Sequence, residues 1–205
     1  LEPNSINDLV AMNALYRPGP MEFIPRYIER KHGREEISYM SAELRAELTK
    51  KYGAEVAEEE NRKLIEDLSP IMSLTYGIAV YQEQLMFLVQ AMAGFSLGEA
   101  DMLRRWVGKK KKEVIEKLKK EFVTRGETYR QYKPETTTNI YEKMIEPAAS
   151  YSFNKSHSVC YAMIAYQTAY LKAHFPLEFS AALIRSVEED TDTQSFYISE
   201  IQNKG

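Results

Sequence analysis

Cysteine is almost missing from this chain: Cys160 is the only one in 205 residues. An intrachain disulfide is therefore excluded, as is a four-cysteine zinc site, and this usage points to a reducing, cytoplasmic setting. Histidine is scarce and scattered (His32, His157, His174). No segment pairs carboxylates at the spacing that would hold two magnesium ions. Neither a GxxxxGKS/T loop nor a GxGxxG turn occurs. The longest apolar run, Val159 to Tyr166, is eight residues, against the roughly 20 that a membrane span requires. Neither charge sign dominates, with 27 Lys plus Arg against 30 Asp plus Glu and a net charge of −3. A uniformly basic nucleic-acid-coating protein is thereby excluded, and any phosphate binding must come from local patches. What is present, 44% hydrophobic residues, suits an ordinary globular fold with a substantial core. The chain starts at Leu1 with no leader pattern and stops at Gly205 just past an expected helix, and it reads as a piece of something longer.

Helical periodicity recurs along the chain and strand alternation hardly appears, which predicts a mainly α architecture without internal repeats. Ser5 with Asp8 resembles a capping box, followed by Leu9, Met12 and Tyr16 on one helix face. Arg17-Pro18-Gly19-Pro20 breaks that helix, and a short one carrying Ile24, Tyr27 and Ile28 follows. From Ser41 to Asp67 there are eight acids against five bases. This predicts one or two solvated helices broken near Gly53, a peripheral excursion. Thr75 to Tyr81 reads as extended; Leu85, Leu88, Val89 and Met92 then mark a core-facing helix. Glu99–Val107 and the stretch around Ile115, Leu118 and Phe122 predict two more. Thr136–Thr138 supply cap candidates for a helix that Pro147 should end. A polar turn, Ser150–Ser158, then precedes a long helix with Val159, Met163, Tyr166 and Tyr170 on one face, closed by His174. Pro176 suits the first turn of the next.

Four constellations have chemical potential. Arg104-Arg105-Trp106-Val107-Gly108-Lys109-Lys110-Lys111-Lys112 packs six cations into nine residues. Guanidinium forks and mobile ammonium groups of this kind match a triphosphate or a nucleic-acid backbone. The same residues also suit a solvated helix end, where cations offset the carboxyl-terminal dipole. Asn154-Lys155-Ser156-His157, ahead of Tyr161, sits at a helix start. Free amides there attract anions, unless the residues simply cap. Arg17 on its rigid turn and the polar run Tyr81-Gln82-Glu83-Gln84 are weaker signals, each explicable as a turn or a cap. Cys160 reads as a small buried hydrophobe rather than the partner of His157 in a nucleophile pair.

Taken together, the segments Asn13–Pro20, Ile28–Ile37, Thr75–Gln84, Ala100–Arg105, Gly108–Lys111, Phe153–Ser158, Ala165–His174 and Phe175–Phe179 resemble, in order, the bacterial DNA polymerase III alpha subunits, the C-family replicative polymerases. The resemblance implies a largely helical fingers domain over 1–205, with 1–20 leading in from the palm. It implies binding of the incoming deoxynucleoside triphosphate and of primer–template DNA during template-directed synthesis in the cytoplasm. Arg104, Arg105, Lys109, Lys110 and Lys111 would meet phosphates, with Lys112 beside them. Asn154, Lys155, Ser156, His157 and Tyr161 would lie near the nucleotide or the nascent pair, and Arg17 would be a further phosphate contact. The metal-binding aspartates of that family belong to the palm, upstream of this chain. Magnesium would therefore be held elsewhere, and this piece would not polymerise alone. The palm and thumb, and the subunits of the replisome, are the implied protein partners. Trp106, Val107 and Ser152 depart from the smaller residues that the family carries there. Read without the resemblance, the same patches also fit a non-catalytic helical module that binds nucleic acid or protein, or a purely structural helical domain.

Overall fold

In the computed structural model, which describes residues 1–108 and 112–204, Ser5 opens the first helix as its spacing predicts. Ser5 Oγ accepts the Asp8 amide at 3.3 Å and Asp8 Oδ2 accepts the Ser5 amide at 3.2 Å. This reciprocal cap starts α1 (Ile6–Leu15). The buried face is Val10, Ala11, Ala14 and Leu15 rather than the Leu9, Met12 and Tyr16 stripe, and Tyr16 is exposed. A 3-10 turn (Pro20–Phe23) leads into α2 (Ile24–Lys31), which buries Tyr27 and Arg30. The Tyr27 ring meets Tyr76 edge-on at 5.0 Å.

The charged stretch forms α3 (Ala42–Tyr52) and α4 (Ala54–Met72), separated at Gly53. Its φ of +94° is open to glycine and strained for other residues. These helices are not a solvated excursion. Leu44 and Leu48 on α3, with Ala57, Leu64, Leu68 and Met72 on α4, belong to the main core. Apolar residues are few there, but they recur at helical spacing, so a narrow stripe is buried while the charges face out.

After Met72 a 3-10 turn (Ser73–Thr75) ends with Tyr76 in the left-handed region. Gly77 follows at φ +77°, and a Cβ there would come within 2.7 Å of Ile37 Cγ2. The extended residues 78–81 carry the chain into α5 (Gln82–Ala93), where Leu85, Leu88, Val89 and Met92 are all buried as predicted. Each such side chain stabilises the fold by roughly 1.5–3 kcal/mol relative to exposure. α6 (Leu97–Gly108) and α7 (Lys112–Tyr129) add Leu103, Leu118 and Phe122.

α8 (Pro134–Ile140) starts at Pro134, so the three threonines lie inside the helix instead of capping it. Pro147 does not end this run. A π-helical turn (Tyr141–Ile145), in which the Glu146 amide donates to the Tyr141 carbonyl, shifts the ladder by one residue. The missing proline N–H is then absorbed in the first turn of α9 (Glu146–Tyr151).

The chain divides into two units, Leu1–Ser158 and Val159–Gly205. α10 (Lys155–His174) starts four residues earlier than the apolar run suggests. In the second unit, α11 (Pro176–Ser186) begins at Pro176 as predicted and α12 (Thr191–Lys204) follows. These two helices face each other across a cavity of about 400 Å³ lined by Pro176, Leu177, Phe179, Leu183, Tyr197 and Ile201. Cys160 is exposed, against the expectation of burial. Among the described residues no helix is long and apolar enough to cross a membrane.

Candidate functional site

Four segments far apart in sequence meet in the first unit, and the extended residues before α5 bring them together. Tyr81 forms an isolated parallel bridge with Phe153. The Gln82 amide donates to the Phe153 carbonyl at 2.9 Å, and the Phe153 amide donates to the Val80 carbonyl at 3.0 Å. These bonds fix the Ser152–Asn154 turn beside the start of α5.

The segment is held from behind by Gln84, which is 6% exposed. Its Oε1 accepts the Val80 and Tyr81 amides at 2.8 and 2.9 Å. Its Nε2 donates to the Ile71 carbonyl at 3.1 Å and to Thr75 Oγ1 at 2.7 Å. All of its hydrogen-bonding directions are used, as a buried amide requires.

Glu83 points at the start of α10. Its carboxylate accepts the Lys155 amide at 3.1 and 3.2 Å and lies 3.4 Å from Asn154 Nδ2. Asn154 Oδ1 in turn accepts the His157 amide at 2.9 Å. The anion-attracting helix start is therefore occupied by the protein's own carboxylate and cap. The amides of Lys155 and His157 are spent internally. Lys155 extends its Nζ to 5.6 Å from the Tyr81 ring. Burial pushes the Tyr81 hydroxyl well above its ordinary pKa. Ser156 and His157 are exposed, and the Phe153 and His157 rings meet edge-on at 5.3 Å.

Arg104 reaches the same place from α6. Its Nη1 donates to Gln82 Oε1 at 3.1 Å, and Nη2 and Nε donate to Asp101 Oδ1 at 2.7 and 3.1 Å. Arg105 contacts the other oxygen of Asp101 at 2.8 Å and leaves 65% of its side chain exposed. The hydrogen bond from Arg104, with Arg105 beside it, holds the Asp101 carboxyl below the usual carboxylate range. The two arginines differ in consequence: Arg104 is tied into the framework and Arg105 is presented to solvent.

Arg17 arrives from the turn after α1. Its Nε donates to the Ala14 carbonyl at 2.8 Å and its Nη2 to the Tyr151 carbonyl at 2.7 Å, while Cζ lies 4.2 Å over the Phe153 ring. Burial lowers its pKa. This guanidinium braces the turn from below.

Thus Arg17, Gln82, Glu83, Arg104, Asn154 and Lys155 converge. Tyr161 lies in the second unit, where it is exposed. Lys109, Lys110 and Lys111 lie outside the described residues, and Lys112 opens α7. Sequence reasoning named Glu83 only as a polar helix start and missed its pairing 72 residues away. No local pattern reports such a contact. Among the described residues no group of His, Cys, Asp or Glu is arranged to hold a metal ion.

Comparison with known proteins now gives the family. The family model described as the bacterial DNA polymerase III alpha subunit finger domain matches residues 1–129. The DNA polymerase III subunit alpha of Halalkalibacterium halodurans is 45% identical over all 205 residues, which cover 16% of that protein. The subunit of Bacillus subtilis is 44% identical over the full chain and 16% of its own length, and that of Thermus aquaticus 43% over 15%. The chain thus spans about a sixth of the length of these curated relatives. It belongs to the bacterial DNA polymerase III alpha subunit finger-domain family.

Proposed function

We propose that this chain is the fingers region of a bacterial replicative DNA polymerase and that it binds the incoming deoxynucleoside triphosphate and the primer–template during template-directed synthesis. One observation carries the reading: Arg104 is bonded to Gln82, while the Phe153–Lys155 turn is bonded to that same residue and to its neighbours Tyr81 and Glu83. Two cation-bearing segments some fifty residues apart are thereby held as one surface, with Arg105 on its exposed side, anchored only by Asp101.

In this reading Arg105 supplies the fork that meets phosphate oxygens, and Lys109 to Lys111 add mobile charge on the strength of the sequence. Arg104 positions its neighbour through Asp101. Lys155, Ser156 and His157 lie toward the nucleotide or the nascent pair, and Arg17 supports the turn that carries them; Tyr161 has that role on the strength of the sequence alone. Cations held in advance offset the charge that develops on phosphates in phosphoryl transfer without having to reorganise. The remaining polymerase chain, with its palm and thumb, is the required partner, and replisome subunits follow from that role, as does a cytoplasmic setting. Magnesium would be held by the palm, outside this chain, and the chain alone is inactive in this reading.

The test is single-nucleotide incorporation by the full-length polymerase carrying Arg105→Ala. A charged hydrogen bond of about 1.5–3 kcal/mol predicts a fall in kcat/KM of roughly 10- to 150-fold. Wild-type kinetics would remove Arg105 from the nucleotide site.

A further inference from the structure

Trp106 takes no part in the surface just described, and it is the only tryptophan in the chain. It stands in the last turns of α6, 43% exposed, at the mouth of a slot of about 240 Å³ between α6 and α7. Both walls follow helical spacing. Glu99, Met102, Leu103 and Trp106 come from α6, and Val114, Lys117, Leu118 and Glu121 from α7. Phe95, Leu103 and Leu118 are buried and make an apolar base. At the Glu99 end the slot is bounded by Arg125. Arg125 contacts Glu99 and Glu121 at 2.7 Å each and lies 4.3 Å over the Phe95 ring. Hydrogen bonds from Arg125 and the Ser96 amide hold the Glu99 carboxyl at a pKa of about 2. Arg125 is thus shared by the two acids and offsets one of their two charges. At the Trp106 end, two helical turns away, the neighbouring charge is positive on balance: Arg104 and Arg105 share the single carboxylate of Asp101, and exposed Lys117 lies across the slot.

We infer that this slot is a stacking site for one unpaired nucleobase of a DNA strand, with the Trp106 ring as its platform. The charge and shape select the occupant. A slot with an apolar base and an indole at its mouth takes an uncharged ring, and the cations beside that mouth take an anionic backbone. A nucleic-acid strand offers both at adjacent positions, and sequence-tolerant single-strand binding uses this pairing of aromatic platform and cationic groove. The inference deepens the reading of the chain as a DNA-contacting fingers region and rests on it.

The experiment uses the full-length polymerase with Trp106→Leu, Trp106→Phe and the unaltered protein. Affinity for a primer–template with a single-stranded template overhang is measured by fluorescence anisotropy, with a series of overhangs each carrying one abasic residue at a successive position. Leucine keeps the slot filled and the helices packed but offers no ring. The expected result is a loss of about 5- to 150-fold for Trp106→Leu, the factor that one stacked base supplies, with most of the affinity retained by Trp106→Phe. For one abasic position the unaltered protein and Trp106→Leu should bind equally, because the base that the ring would hold is gone. Equal affinities of the two proteins on the intact overhang would overturn the inference. So would a loss in Trp106→Leu that persists at every abasic position, which would mark a packing role or cover by another protein segment. Incorporation kinetics of Arg105→Ala separate the two readings: a loss there with unchanged Trp106→Leu binding sinks the stacking site and leaves the fingers role standing.

Discussion

Replacing Gln84 by leucine should release the extended segment that organises the site. Leucine nearly matches the volume but removes all four side-chain hydrogen bonds. The Val80 and Tyr81 amides, accepted at 2.8 and 2.9 Å, are left as buried donors without partners. Each costs about 1–3 kcal/mol, so the pair destabilises the local structure by about 2–6 kcal/mol. Loss of the Ile71 and Thr75 partners, at 3.1 and 2.7 Å, acts in the same direction. The assay is hydrogen–deuterium exchange on peptides covering residues 78–84. Even the lower bound predicts exchange at residues 80 and 81 faster by roughly 30-fold. Gln84→Glu separates the two halves of the interaction, since an ionised carboxylate still accepts both amides but cannot donate to Ile71 or Thr75. Its exchange should fall between the two. Incorporation by the full-length polymerase should fall with Gln84→Leu, because Gln82 and Glu83 ride on the released segment. Unchanged exchange at residues 80 and 81 in Gln84→Leu would refute the reasoning, as it would show that the segment is held by something other than this amide.

Two further outcomes test the packing and the buried charge. Gly126→Ala would ordinarily improve a helix interior, but the added Cβ would lie 2.6 Å from Thr137 Cγ2. We expect a loss of about 1–3 kcal/mol by chemical denaturation, relieved in Gly126→Ala/Thr137→Ser, which removes that methyl. Asp8 and Lys31 form an ion pair at 2.9 Å with side chains 2% and 3% exposed. Burial alone pushes the Asp8 carboxyl up, but hydrogen bonds from Lys31 and the Asn4 and Ser5 segment outweigh it, and the net pKa is below the ordinary value. Stability from this group is therefore fully present above the unfolded-state pKa of about 3.9 and is lost as pH falls through the lower folded value. Asp8→Asn leaves Lys31 buried without its counter-charge and should cost about 3–5 kcal/mol at neutral pH, with a shallower acid limb in the stability–pH profile.

Much of the fold was legible because its signals are local. The Ser5–Asp8 cap, the break at Gly53, the Leu85–Met92 stripe and the start of α11 at Pro176 each depend on residues within a turn or two of one another. The misreadings have a common cause. α3 and α4 look solvated when their charges are counted, yet a few apolar residues at the right spacing bury one side. Pro147 looks like a stop, but the π-helical turn before it changes the hydrogen-bond register and admits it. Cys160 looks like core by residue type and is exposed.

The sequence by itself determined that the chain is helical, where most helices begin, and which short segments carry cations, since these depend on composition and on neighbours along the backbone. It also carried the resemblance to the family, which relatives 43–45% identical over the whole chain bear out. Only the tertiary structure decided which of those cations are brought together and which are bonded within the fold. Arg104 and Arg105 are adjacent in sequence, but one is bonded to Gln82 and the other is presented to solvent. Arg17, which a sequence reading offers to a phosphate, donates instead to two carbonyls, one of them 134 residues away. Glu83, which in the sequence is only part of a polar helix start, holds the start of α10. Such assignments depend on partners that the fold alone brings within hydrogen-bonding distance, and the strength of a hydrogen bond or ion pair is set by that distance and by the water excluded around it.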